Sequence, residues 1–309
     1  MEDKHDHQHS HSHSHSHQHN EAISYNKAFI IGISLNIIFI IIEVIYGFIA
    51  NSSALLADAG HNVGDVLGLL LAWLATWLAT MKPKGKYTYG LRKTTILASL
   101  LNSLLLLIAV LFIVYEAIEK FYKPEPVGSS EIMLVAGIGI LINGFTALLF
   151  SKGHKHDLNI KGAFLHMIVD ATVSLGVVVS GFLISQTGIL WIDPATSLII
   201  AIFILLSTWS LLTDSVDLVL DAVPQNIEID KVKLFLSQYV GVISVHDLHI
   251  WAMSTSQNAL TTHLIVEDNL PLTFLCNLQN SIKKEFAINH LTIQLESKSE
   301  KIDCDTNCV

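Results

Sequence analysis

Six apolar segments, each long enough to cross a membrane, dominate the sequence. A helix rises about 1.5 Å per residue, so about 20 apolar residues are enough to cross a bilayer core of about 30 Å. Only 15% of the 309 residues are charged, whereas a soluble domain has about 25%, and the mean hydropathy is +0.51. The sequence therefore predicts an α-helical membrane protein, with a six-transmembrane-helix bundle over residues 28–215. The predicted spans are 28–50, 55–80, 94–118, 131–150, 160–185 and 190–213.

Lysine and arginine are distributed unevenly among the loops between these spans. They are concentrated in the second-to-third connection, between Lys82 and Lys93, and in the fourth-to-fifth, between Lys152 and Lys161. The first-to-second and fifth-to-sixth connections contain none. Because cytoplasmic loops are enriched in basic residues, we predict that both basic loops, and with them both termini, face the cytoplasm. The polar start of the sequence is unlike a signal peptide, so we expect the protein to lie in the lipid bilayer of the cell inner (plasma) membrane.

Polar sequence lies on both sides of the spans. Residues 1–27 have His at every odd position from His5 to His19, which predicts a disordered cytoplasmic tail that contacts metal weakly. Residues 221–300 alternate helical and β-branched patterns in the order αββαβ. This order predicts a small cytoplasmic α+β domain, similar to a metallochaperone. A tail over 301–309 carries Cys304 and Cys308. The net charge of −9 argues against nucleic acid as a partner.

Two of the spans carry the same polar pattern, a histidine followed four residues later by an aspartate. The second span has His61 and Asp65, and the fifth has His166 and Asp170. Residues four apart share one face of a helix, so two facing helices would bring two imidazoles and two carboxylates together. This is a ligand set for tetrahedral Zn²⁺. An aspartate at the bilayer centre costs about 3 kcal/mol, and a divalent cation would neutralise both.

The residues leave two other functions open. A catalytic zinc in an intramembrane hydrolase would need an open coordination position and a general base, and HNVGD lacks the HExxH arrangement. A membrane metal sensor would bind the same ion without moving it. No P-loop motif is present in the sequence, so we do not expect direct use of ATP.

Several motifs, in order and spacing, resemble the cation diffusion facilitator family, and within it the zinc-efflux branch. They are ADAGHNVGD, YTYGLRK, HMIVD, IDPATS, VHDLHIW and TIQLES. The resemblance implies a homodimer that is not an enzyme and that exchanges cytoplasmic Zn²⁺, or Cd²⁺ or Co²⁺, for protons. It implies a transport site formed by four ligands: His61, Asp65, His166 and Asp170.

The resemblance also implies a zinc site in the cytoplasmic domain. Its residues are His246, His263 and Glu296, with Cys304 and Cys308 added from the tail. Some relatives bind a further ion in the second-to-third loop. Here that loop reads KPKGKYTYG, without histidine or carboxylate, so we expect no such site.

Four other residues carry weaker expectations. Asp58 lies three residues before His61 and is interpreted either as an orienting partner of that histidine or as part of a water path. Glu43 in the first span either has a functional role or forms hydrogen bonds between helices. His249 is a further candidate ligand close to His246, and Cys276 is expected in the core of an amphipathic helix.

Overall fold

The computed structural model of the chain describes residues 18–150 and 158–297. Six of its helices are long and apolar enough to cross a membrane. They are α1 (Gln18–Ile49), α2 (Ser53–Ala79), α3 (Thr94–Tyr122), α4 (Ser129–Phe150), α5 (Leu158–Thr187) and α6 (Ile192–Val219). The elements that follow are α7 (Ile229–Ser237), β1 (Val242–Ser254), β2 (Gln257–Val266), α8 (Phe274–Phe286) and β3 (Ile288–Ser297). The predicted fold class, six membrane helices and an αββαβ domain, is confirmed.

Two helices extend beyond their predicted bounds. Helix α1 begins at Gln18, so residues 18–27, which we assigned to the disordered tail, are helical. Helix α6 continues past residue 213 through the acidic run to Val219. Nothing in that run stops a helix, because aspartate is only moderately unfavourable inside one. The backbone turns only at Asp221, whose φ of 59° is left-handed, and Pro224 follows three residues later.

The chain divides into two compact units. The first comprises the described residues of 1–62 and 115–200, and the second those of 63–114 and 201–309. The division falls within α2, α3 and α6. Each unit therefore combines parts of membrane-length helices, and the second also contains the whole α+β domain.

In the first unit, α4 packs against both α1 and α5. Gly139 of α4 lies at the tightest point of this packing. A Cβ atom there would lie 2.5 Å from Cζ of Phe39 on α1 and 3.1 Å from Oγ of Ser174 on α5. Phe39 and Ser174 are fully buried. Small residues allow helices to approach closely in membranes, so Gly139 sets the spacing of the three helices.

Asp193, in the first turn of α6, caps the N-terminus of α2. Its carboxylate accepts hydrogen bonds from the Ser52 hydroxyl, the Ser53 backbone N–H at 2.7 Å and the Ser53 hydroxyl at 2.8 Å. The first N–H groups of a helix have no partner within the helix, and a carboxylate also complements the helix dipole. The buried Asp193 therefore ties the starts of α2 and α6 together, within the first unit.

In the second unit, α7 and α8 cover a three-stranded sheet of order β1-β2-β3. Strand β2 pairs antiparallel with β1 and parallel with β3, which α8 connects. The domain core is formed by large aliphatic and aromatic side chains from both layers, including Val232, Leu236, Leu260, Leu264, Leu278, Ile282 and Ile288. Alternation along the strands sends the other side chains to the opposite face, where the histidines lie.

The tip of the β1–β2 hairpin contacts the start of α3. The guanidinium of Arg92 donates to Oε1 of Gln257 at 2.7 Å, and the backbone N–H of Thr255 donates to Oγ1 of Thr95 at 3.1 Å. The ring of Tyr89 packs edge-on against His290, with 5.3 Å between centroids. The basic loop before α3 thus docks on the sheet within the second unit.

Candidate metal centres

Asp170 lies between two imidazoles in the membrane-spanning part of the first unit. Nε2 of His61 is 3.7 Å from Oδ1 of Asp170, and Nε2 of His166 is 3.6 Å from Oδ2. The two imidazole rings have centroids 6.4 Å apart. The Asp170 side chain is 2% exposed, whereas His166 is 42% exposed. The cluster is therefore buried on one side and open on the other.

These distances suit a metal ion better than direct ion pairing. Zinc–ligand bonds of about 2.0–2.1 Å place the ligand atoms of a tetrahedral site about 3.4 Å apart. The two N–O separations of 3.7 and 3.6 Å are close to that value and longer than a charge-assisted hydrogen bond. The two imidazoles therefore lie at distances from the Asp170 carboxylate that leave room for a cation bound by all three groups.

The helices explain why these residues meet. In α5, His166 and Asp170 are one turn apart, so both project from the same face. In α2, Asp65 follows His61 by one turn and is partly buried. The first unit therefore brings together three of the four residues of the predicted transport site. The fourth, Asp65, shares its helix face with His61.

A second cluster lies on the open face of the sheet in the α+β domain. His246 and His263 are directly paired across β1 and β2. Nε2 of His246 lies 3.1 Å from Oε2 of Glu296, and Nδ1 of His263 lies 3.0 Å from Oε1 of the same carboxylate. Ligand atoms of the three residues lie within 4.8 Å of one another. The arrangement offers two imidazoles and a carboxylate at the spacing of a zinc site.

Sequence reasoning missed Asp247 in this second cluster. Its Oδ2 lies 3.6 Å from Nε2 of His263, and its Oδ1 lies 2.8 Å from Nε2 of His249. The register of β1 shifts between His246 and His249, and Asp247 takes a left-handed φ of 51°. Aspartate tolerates that conformation better than most residues, so the HDLH sequence contained a signal for a bulge. The bulge turns Asp247 toward the histidines.

The remaining candidates have different outcomes. Cys304 and Cys308 lie outside the described residues. Cys276 is exposed on α8, so its expected place in the core is wrong. The apolar face of α8 passes instead through Phe274, Leu278 and Ile282. The Asp58 carboxylate accepts a hydrogen bond from Ser174 of α5 at 2.9 Å.

Two protein-family models match the chain. Residues 29–220 match the cation efflux transmembrane domain, and residues 224–298 match the cation efflux protein, cytoplasmic domain. Together they cover both candidate metal clusters.

Relatives with similar sequences extend along most of the chain. A protein of Bacillus subtilis named cadmium, cobalt and zinc/H(+)-K(+) antiporter is 35% identical, over 86% of this chain and 87% of its own. The metal cation efflux system protein CzcD of Cupriavidus metallidurans is 33% identical, over 86% and 85%. The zinc transporter ZitB of Yersinia pestis is 32% identical, over 88% of each.

Proposed function

The chain belongs to the cation efflux family, and from that premise we propose that it is a Zn²⁺/H⁺ antiporter that exports zinc from the cytoplasm. The observation that carries the proposal is the Asp170 carboxylate held between two imidazoles inside membrane-length helices. Relatives are named for zinc, and one is also named for cadmium and cobalt. We propose Cd²⁺ and Co²⁺ as further substrates on that ground.

We propose that His61, Asp65, His166 and Asp170 bind the transported ion. Two neutral imidazoles and two carboxylates balance the charge of Zn²⁺, which removes the cost of burying the carboxylates. Nitrogen and oxygen donors in this ratio suit zinc. Replacement of His61 by a carboxylate would favour harder ions.

Proton coupling follows from the same ligands. Imidazole and carboxylate bind a metal only in their deprotonated forms, so metal binding releases protons. When the site opens to the outside, protons compete for the same atoms and the ion leaves. Helix rocking around the site would alternate its access. The relative from Bacillus subtilis is named for H⁺ and K⁺ as counter-ions, and this mechanism accounts for the first.

We propose that the α+β domain binds Zn²⁺ through His246, His263 and Glu296, and that it joins two copies of the chain in a homodimer. The match to a cation efflux cytoplasmic domain supports this role. The basic loops support an orientation in which this domain and both termini face the cytoplasm of a cell whose inner membrane holds the protein.

A transporter fits these residues better than the two rival functions. A site with four protein ligands has no open position for a catalytic water, which argues against a hydrolase. A sensor would bind zinc at the same residues, and only flux separates it from a transporter.

Zinc uptake into proteoliposomes with an imposed pH gradient tests the proposal. Wild type is compared with Asp170→Asn, which keeps the side-chain volume and removes the charge. We expect gradient-driven uptake in wild type and its loss in the variant, because the neutral amide is a poor zinc ligand. The matched control is Glu131→Gln, at an exposed carboxylate in the first turn of α4, and it should transport normally.

Two outcomes would contradict the proposal in different ways. Equal flux with and without the gradient would leave zinc transport and remove the proton coupling. Zinc binding without flux, in a well-folded wild type, would identify a sensor.

A further inference from the structure

We propose that Glu43 and Asp58 form a second cation site in the membrane domain, and that its occupant is a single proton shared by the two carboxyl groups. The metal centre described above does not use either residue. The presence of the shared proton does not depend on the proposed function, whereas its role in transport rests on the proposed zinc/proton exchange.

Both carboxyl groups are buried completely, one on α1 and the other on α2. The two carboxyl groups lie close enough to interact with each other directly. Each also has one oxygen that accepts a hydrogen bond from a neutral side chain. Nδ2 of Asn62 donates to Oε2 of Glu43 at 3.1 Å, and Oγ of Ser174 donates to Oδ2 of Asp58 at 2.9 Å.

The other two oxygens show what is needed to complete the pair. Oε1 of Glu43 and Oδ1 of Asp58 are buried, and neither accepts a hydrogen bond from another described residue. Buried polar atoms in proteins almost always have partners, and two neighbouring carboxylates cannot both stay ionised without a cation. One proton between the two groups satisfies both oxygens and removes one of the two charges.

The neighbouring donors favour a proton over a metal ion. Asn62 and Ser174 donate to Oε2 of Glu43 and Oδ2 of Asp58, so two of the four carboxyl oxygens of the pair are left, fewer ligands than a metal site in a protein supplies. The pair itself includes no nitrogen or sulfur ligand, and zinc prefers such ligands. A proton needs no further coordination.

Asp58 and its hydrogen-bond donor Ser174 lie on the two helices that carry the metal centre, and Glu43 lies on the neighbouring α1. Asp58 precedes His61 by three residues on α2, and Ser174 follows Asp170 by four on α5. His61 and Asp170 both act on the Asp58 carboxyl electrostatically. Asp65 lies seven residues after Asp58 on α2, and His166 lies eight residues before Ser174 on α5.

The other elements around the pair contribute little charge. Helix α4 packs on α1 and α5, and Glu131 in its first turn is its single charged residue among the described side chains. From Gly32 to Ile49, where α1 side chains are described, Glu43 is the one charged residue. The carboxylate of Asp193 on α6 is committed to Ser52 and Ser53.

This placement couples the two sites through space. A divalent cation at His61 and Asp170 repels a proton on the nearby pair, because both are positive and the region is poorly screened. Such coupling is reciprocal, so the proton weakens metal binding by the same factor. The pair therefore gives up its proton as metal binds and takes one up as metal leaves. It would carry a counter-ion without contacting the metal.

Two transport measurements on the full chain in proteoliposomes test this role. One is zinc uptake driven by a pH gradient, and the other is zinc/zinc exchange at equal pH, which needs no net proton movement. For Glu43→Gln and Asp58→Asn we expect gradient-driven uptake to fall by about 10-fold or more, within the usual range of coupling between sites. Zinc/zinc exchange should stay near wild type. Glu131→Gln is the control.

Infrared spectroscopy of the wild type detects the proton itself and needs no transport. A buried protonated carboxyl group has a carbonyl band that ionised groups lack, and it should weaken when zinc is added. Glu43 is the one fully buried glutamate in the described part of the chain, so ¹³C-glutamate labelling should shift the band. If labelling shifts no band, the proposed proton is overturned, and this holds whether or not wild-type zinc flux is coupled to protons.

The transport results separate the remaining possibilities. Full gradient-driven uptake in both variants would overturn the role of the pair in transport. Equal loss of uptake and exchange, in variants that still fold, would also overturn it, because the residues would then act on metal passage itself. If a variant does not fold, the wild-type infrared result decides alone.

Discussion

At the residue scale, Asp247 is the side chain whose role depends most on an unusual backbone position. Its left-handed φ of 51° at the bulge in β1 directs the carboxylate to His263 and His249. A carboxylate that hydrogen-bonds a ligating imidazole fixes the orientation of the ring and strengthens it as a ligand. The hydrogen bond of Asp247, at 2.8 Å, is to His249, and its Oδ2 lies 3.6 Å from Nε2 of the proposed ligand His263, so it acts on that ring through its charge. We therefore expect Asp247 to position the histidines of the cytoplasmic cluster.

Asp247→Asn should weaken zinc binding by the cytoplasmic domain by about 10-fold or more, the usual effect of removing such a partner. Asparagine tolerates a left-handed φ as aspartate does, so the bulge is kept and only the charge is lost. Competition with a fluorescent chelator, on the full-length protein, measures the affinity. Asp230→Asn, at an exposed position in α7, is the control. Unchanged affinity would show that Asp247 does not orient the ligands.

At the scale of helices, close approach at Gly139 keeps α1, α4 and α5 in register around the buried carboxyl groups. Ser174, the hydrogen-bond donor to Asp58, is one of the two residues that a Cβ at this position would crowd. Ser174 therefore takes part in both the helix packing and the proposed proton site.

Gly139→Ala should destabilise the protein by about 1–3 kcal/mol, because an added methyl group would force Phe39 to move. Unfolding in mixed micelles measures the change. Gly137→Ala is a matched control on the same helix, since a Cβ there would meet no atom within 4 Å. It should be neutral or stabilising by under about 1 kcal/mol. In a Phe39→Leu background the aromatic ring is absent, so Gly139→Ala should lose most of its destabilising effect. If the full destabilisation remained in that background, the assigned clash with Phe39 would be contradicted.

A second prediction at this scale concerns the cap on α2. Asp193→Ala removes the acceptor of the Ser53 N–H and hydroxyl, both of which are buried. Leaving buried donors without an acceptor costs about 1–3 kcal/mol each. The thermal midpoint in detergent should therefore fall clearly below wild type and below Asp230→Ala, an exposed control. Equal midpoints would mean that other groups replace the cap.

At the scale of the whole molecule, the proposed orientation can be tested with a native thiol. Cys276 is exposed on α8, so a membrane-impermeant thiol reagent should modify it in inside-out vesicles and not in intact cells. Replacing Cys304 and Cys308 by serine removes the other two thiols.

Introduced cysteines complete the topology test in a background without Cys276. Lys84→Cys, in the basic loop, should react on the same side as Cys276, and Gln186→Cys, at an exposed position in the last turn of α5, on the opposite side. The reason is the basic-loop bias of cytoplasmic segments. Reaction of both positions from one side would overturn the assigned orientation.

Local patterns in the sequence were enough to predict the six membrane helices and the αββαβ order, and to propose residues that could bind metal. Apolar length, strand alternation and a spacing of four residues act within one element, so they can be recognised without knowing the packing. The extension of α6 to Val219 shows the limit of such patterns, because an acidic run without a glycine or proline does not end a helix.

Tertiary structure alone decided the features that join distant elements. The meeting of Asp170 with His61, the pairing of Glu43 with Asp58, and the cap by Asp193 each depend on which helix faces turn toward one another. The exposure of Cys276 depends on the rotation of α8 about its axis. Such contacts arise from packing between helices and strands far apart in sequence, and no periodicity within a single segment records them.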